Sequence, residues 1–179
     1  MKRLLAAALF SAAVLCAASA DRPRVTRAEV ANVEKLINTQ LASMFPDEPW
    51  LLLGYTRGFY VEGTGVVFSA EVNLATGPTI SPFSQPPTKE IILAHHAKKV
   101  QRVPKLRETM YSVLKSLGTF FPSMPADEQL ILAVTILRYP WENAEGLPNQ
   151  VVMHVPRAKL NDAIARSTAL STLVKAEEY

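Results

Sequence analysis

The alternation of apolar and polar positions changes period several times along the chain, and each change marks an element. Val30, Val33, Ile37, Leu41 and Met44 recur at spacings of three and four, which places five apolar side chains on one stripe of a helix ending near Pro46. Thr26 and Glu29 stand where a capping box would satisfy two backbone amides at the start of that helix. From Trp50 to Leu74 the period falls to two. Val66, Phe68, Ala70, Val72 and Leu74 line one side of a strand, with Ser69, Glu71 and Asn73 on the other. A preceding arm places Leu51, Leu53, Tyr55, Phe59 and Val61 together, and Glu62-Gly63-Thr64-Gly65 supplies a turn between the two arms. Arg57 falls on the apolar face of that first arm. Either a bulge at Gly58 shifts the register, or Arg57 is buried with a partner.

Pro78, Pro82, Pro86 and Pro87 make Ala75 to Pro87 a loop. Helical spacing returns from Lys89 to Leu117, with Val103, Leu106, Met110, Val113 and Leu117 as a stripe; Pro104 predicts a kink or a second helix start, and Gly118 a stop. Gln129 to Arg138 is apolar on both sides, as expected of a central strand covered on both faces. After a loop from Pro140 to Pro148 that contains Trp141, Gln150 to Val155 reads as a fourth strand with Val151, Met153 and Val155 inward. A final helix is predicted over Arg157 to Val174, with Leu160, Ile164, Ser167, Leu170 and Val174 near one side. The predicted fold is therefore α+β: an N-terminal helix followed by two ββα units, with a four-stranded antiparallel or mixed sheet and helices packed on one face.

The first twenty residues have a different character. Lys2 and Arg3 precede an uncharged apolar run from Leu4 to Ala13, and Ala18-Ser19-Ala20 supplies small residues at the positions a signal peptidase reads. Cleavage is expected between Ala20 and Asp21, leaving residues 21–179 as a single periplasmic or secreted domain. The run is alanine-rich and interrupted by serine, short of the span of about 20 strongly apolar residues that a membrane helix needs, so no membrane span is expected after cleavage. Lipid modification at Cys16 is the alternative, but Leu15 stands where a small residue is required.

Removing this segment changes the charge. The full chain has 19 basic and 16 acidic side chains, and loss of Lys2 and Arg3 leaves a net charge near +1. A near-neutral domain has no general electrostatic attraction for nucleic acid. The only cysteine also leaves with the signal, which excludes disulfides and thiolate chemistry from the mature chain.

Candidate chemistry is sparse. Ser112-Val113-Leu114-Lys115 has the spacing at which a lysine activates a serine one helical turn away, but the Ser-Asp-Asn and Lys-Thr-Gly elements that accompany it in penicillin-binding enzymes are missing, and a solvated helix face is the simpler expectation. His95 and His96 are adjacent, so on a helix they diverge by about 100°; with His154 they are weak metal candidates, since a zinc site would need all three to converge. Neither a metal nor any other cofactor is expected. Asp47-Glu48, Asp127-Glu128 and Glu177-Glu178 read as punctuation at turns and the terminus.

Glycine is unevenly distributed: Gly54, Gly58, Gly63 and Gly65 fall within twelve residues of the hairpin, among Tyr55, Arg57, Tyr60 and Glu62. Glycine weakens a strand unless geometry or close approach requires it, so these four polar-tipped residues are the candidate binding residues. The stretch Gly58-Phe59-Tyr60-Val61-Glu62-Gly63-Thr64-Gly65-Val66-Val67-Phe68 resembles a segment of uncharacterised exported bacterial proteins of the sort seen in acidobacterial genomes. The resemblance covers the hairpin and implies an exported bacterial origin, with no activity to transfer. The expected function is a non-enzymatic domain that meets a protein partner or small ligand in the cell envelope through the hairpin at 50–74 and the loop after it. The alternatives are a small hydrolase built on a histidine with a carboxylate, and a structural subunit that packs through its N-terminal helix.

Overall fold

The computed structural model describes residues 25–77 and 87–179, so the predicted signal peptide and most of the proline-rich loop lie outside the described residues. Helix α1 spans Arg27–Ala42, strands β1 and β2 span Leu51–Val61 and Gly65–Asn73, and helix α2 spans Lys89–Leu117. Strands β3 (Gln129–Ile136) and β4 (Gln150–Pro156) follow, then helix α3 (Arg157–Ala165), a 3-10 turn at Leu170–Thr172 and strand β5 (Lys175–Glu178).

The architecture is α+β, with a five-stranded sheet in the order β1-β2-β3-β4-β5. The β2–β3 pair is parallel and the other pairs are antiparallel, so the sheet is mixed. A parallel pair needs a crossover, which α2 supplies. The expected count of four strands is corrected to five because the last helix is shorter than its apolar spacing suggested. Arg166 caps α3, and Ser167 takes a left-handed φ of 54°. That turn ends the helix and frees Lys175–Glu178 to pair with Val151–His154.

The capping box at Thr26 and Glu29 forms as its chemistry requires, each side chain accepting the other's backbone amide. The α1 stripe is spent on the core: Val30, Val33, Ile37, Leu41 and Met44 are all buried there, so it presents no apolar face to a partner. Helix α2 runs through Pro104 without a break, the proline leaving only the Val100 carbonyl without its usual amide donor.

One face of the sheet, carrying Val66, Phe68, Val72, Leu130, Leu132, Val134, Val151 and Met153, forms a single cluster with buried residues of all three helices. Full burial of a side chain such as Phe68 contributes on the order of 2 kcal/mol. Among the described residues, no helix packs on the opposite face. In β3 the burial alternates strictly, with Ile131, Ala133 and Thr135 only half-buried. The expectation that β3 is covered on both faces is therefore corrected: its outward apolar residues belong to an open face.

Candidate binding surface

Strand β1 contains an irregularity that leaves its facing unchanged. Strand pairing holds from Leu51 to Leu53 and resumes at Arg57, with the break at Gly54, Tyr55 and Thr56 rather than at Gly58. Arg57 is exposed opposite Ser69, so neither of the two arrangements proposed from its position in the sequence applies. The apolar side chains grouped with it turn away from the helices. Tyr55 is 74% exposed, Phe59 54%, Leu51 47% and Val61 42%.

Pairing extends this stripe into a surface. Phe59 stands opposite Val67, Val67 opposite Ile131, and Ile131 opposite His154. In the next row Arg57, Ser69, Ala133, Val152 and Glu177 are aligned in the same way. Apolar groups thus run across the open face in these rows, with Arg57 at one margin and Glu177 near the other. Glu71 adds a charge on β2 in the row of Leu53.

The free edge of β1 is closed to another strand. Asn38 Oδ1 accepts from the Thr56 amide at 2.9 Å, and Glu34 Oε1 accepts from the Gly58 amide at 2.8 Å. Glu34 also takes a two-pronged contact from Arg27 at 2.8 and 2.9 Å. These bonds outweigh its desolvation and hold the Glu34 carboxyl below the usual range, with the Arg27 bond as the largest cause. Helix α1 covers the edge with residues one turn apart, which is how edge strands resist unwanted pairing.

The four residues singled out from the sequence do not form one site. Tyr55 stands in the bulge, and Arg57 lies on the open face. Tyr60 packs toward the core, where its hydroxyl donates to Glu128 Oε1 at 3.1 Å. Glu62 is exposed at the turn, where Glu128 also accepts from the Gly63 amide at 2.8 Å.

The histidines are likewise separate. His154 faces the open side, with Nδ1 2.6 Å from Gln129 Oε1 and Nε2 3.8 Å from Glu177. His96 is half-buried on α2. His95 is buried, with Nδ1 2.5 Å from Glu142 Oε1 and Nε2 2.9 Å from the Ala75 carbonyl. The other Glu142 oxygen accepts from Lys99 Nζ at 2.8 Å and from the Tyr139 amide at 2.7 Å. Lys99 also donates to the Leu137 carbonyl at 2.8 Å. Burial holds the Lys99 ammonium below the usual lysine range, with the Glu142 bond opposing that shift.

His95 is thus buried with Nε2 held at the Ala75 carbonyl, while Nδ1 lies beside Glu142 Oε1 without hydrogen-bond geometry. The cluster ties α2 to the loop after β3, and Trp141 stacks on Tyr139 beside it at 5.1 Å and 6°. Among the described residues, no group of three His, Cys, Asp or Glu side chains is placed to hold a metal. No helix among them is long and apolar enough to cross a membrane.

Sequence reasoning missed Glu34, Lys99 and Glu142. Lys99 and His95 had a usable signal, because extending the α2 stripe backward from Val103 and Leu106 lands on Arg102, Lys99 and His95, all buried. Glu142 had none, since its partners come from distant segments. Comparison of the chain with protein-family models, with curated proteins and with solved structures finds no match.

Proposed function

We propose that this is an exported, non-enzymatic binding domain that docks a protein partner against the open face of its sheet, along the β1–β2 hairpin. One observation carries the reading: Leu51, Tyr55, Phe59 and Val61 are all substantially exposed on one strand. Large apolar side chains clustered on a surface are a common mark of a protein interface. The edge amides of Thr56 and Gly58 are taken by α1, which favours docking onto side chains over addition of a strand. The burial of His95 and the bond of its Nε2 to the Ala75 carbonyl weigh against the histidine-dependent hydrolase.

Site-specific crosslinking tests this reading in the intact cell. A photoreactive side chain at position 59 is expected to give a discrete protein adduct that the same probe at position 105, on exposed α2, does not give. Phe59→Glu should abolish the adduct formed from a probe at position 61 while changing folding stability by less than about 0.5 kcal/mol, as for ordinary surface positions. Equal adducts at 59 and 105, or none at 59, would reject the surface. Export is read separately: mass analysis of the mature protein should place its first residue at Asp21.

A further inference from the structure

On the helical side of the sheet, the end of α2 and the chain leaving α3 enclose a cleft of about 510 Å³. It is lined by Tyr111, Ser112, Lys115, Ser167 and Ser171 together with the apolar Ile164 and Leu170. The volume lies within the range of small-molecule sites. Ser112 and Lys115 are one helical turn apart, so both project from the same side of α2.

The cleft differs from the surface around it in how its polar groups are used. Nearby hydroxyls are bonded to their own backbone: Thr109 donates to the Lys105 carbonyl at 2.9 Å, Ser116 to Ser112 at 3.1 Å, and Thr172 to Ala169 at 2.8 Å. Among the described residues, the side chains of Ser112, Lys115, Ser167 and Ser171 have no such partner. The cations nearest Lys115 along α2 are paired, Lys105 with Glu108 and Arg107 with Glu178. Among the described residues, Lys115 has no acidic partner, and no carboxylate lines the cleft. Ser167 holds a left-handed φ of 54°, a conformation a serine adopts at a cost and one that gathers at functional sites.

We infer that this cleft binds a small organic anion, a carboxylate or a phosphate on a compact apolar body. Lys115 takes the charge, the hydroxyls of Ser112, Ser167 and Ser171 donate to the remaining oxygens, and the apolar part lies over Ile164 and Leu170. An unpaired ammonium in a concave site with no competing carboxylate concentrates anions there. Hydroxyl donors supply the orientation that charge alone does not. This site is independent of the proposed docking surface, which lies across the sheet.

Titration of isotopically labelled mature protein with benzoate, phenyl phosphate and uncharged benzyl alcohol, followed by amide NMR, tests the inference. Benzoate, phenyl phosphate or both should move the amides of residues 112–115 and 167–171 saturably, and benzyl alcohol should not; which anion binds identifies the oxyanion. Lys115→Met should weaken that binding about tenfold or more, the cost of one charge-assisted bond, whereas Lys115→Arg should largely retain it. Absence of saturable shifts at millimolar anion, equal binding of benzyl alcohol, or an unchanged affinity in Lys115→Met would each overturn it. Lys115 is exposed, so both variants are expected to fold.

Discussion

Nδ1 of His95 stands 2.5 Å from Oε1 of Glu142, with both side chains almost fully removed from water. The Glu142 carboxylate also compensates the buried Lys99 ammonium. Glu142→Ala would leave that cation without its counter-charge and the Tyr139 amide without its acceptor. Removing one member of a buried ionic group typically costs about 3–5 kcal/mol, and urea unfolding of Glu142→Ala should show a loss of that size. A loss under about 1 kcal/mol would mean that the cluster does not hold the loop to α2.

Glu34 predicts a dependence on acid. Its folded-state pKa lies below the ordinary 4.5, so the unfolded chain binds the proton more readily. The stability contributed by Glu34 is complete above pH 4.5 and is lost as pH falls through the lower folded value. Glu34→Gln should flatten the acid limb of the stability profile over that window. Glu34→Ala should cost about 1–3 kcal/mol near neutrality, because the Gly58 amide loses its acceptor. Equal acid limbs for wild type and Glu34→Gln would refute the assignment.

Gly58 and Gly65 are required for different reasons. A Cβ at Gly58 would meet the Phe68 ring at 2.5 Å and Val30 Cγ1 at 2.7 Å, where α1 crosses the hairpin. Overpacking of this kind costs about 1–3 kcal/mol. At Gly65 a Cβ would fall 1.9 Å from the Gln129 carbonyl oxygen, and φ is 125°, so neither backbone nor neighbour can yield easily. Thermal melts should rank Gly65→Ala below Gly58→Ala and both below wild type. The reverse order would place the essential contact at the α1 crossing instead of at the start of the parallel pairing.

Much of this scaffold was legible because its signals are local. The Thr26–Glu29 box and the Val30–Met44 stripe require only a few consecutive turns, and α1 forms where they place it. The alternation from Val66 to Val72 similarly fixes which side of β2 is buried. The end of α3 was not legible, since Ile164, Leu170 and Val174 keep a helical spacing across a turn that Ser167 reverses. Of the residues around the candidate surface, Tyr55 and Arg57 could be singled out in advance, while the partner of Tyr60 could not.

By itself the sequence determined α1, the hairpin, α2 and strands β3 and β4, because periodicity and capping act over neighbouring residues. Only the tertiary structure decided that β2 and β3 run parallel, that β5 completes the sheet and that the β1 stripe faces away from the helices. Those outcomes depend on where distant segments meet; the break between Leu53 and Arg57 shifts the pairing by two residues and so keeps Leu51, Leu53, Phe59 and Val61 on one face. The same long-range meeting brought Glu142 to His95 and Lys99, and set the α3 exit against Ser112 and Lys115.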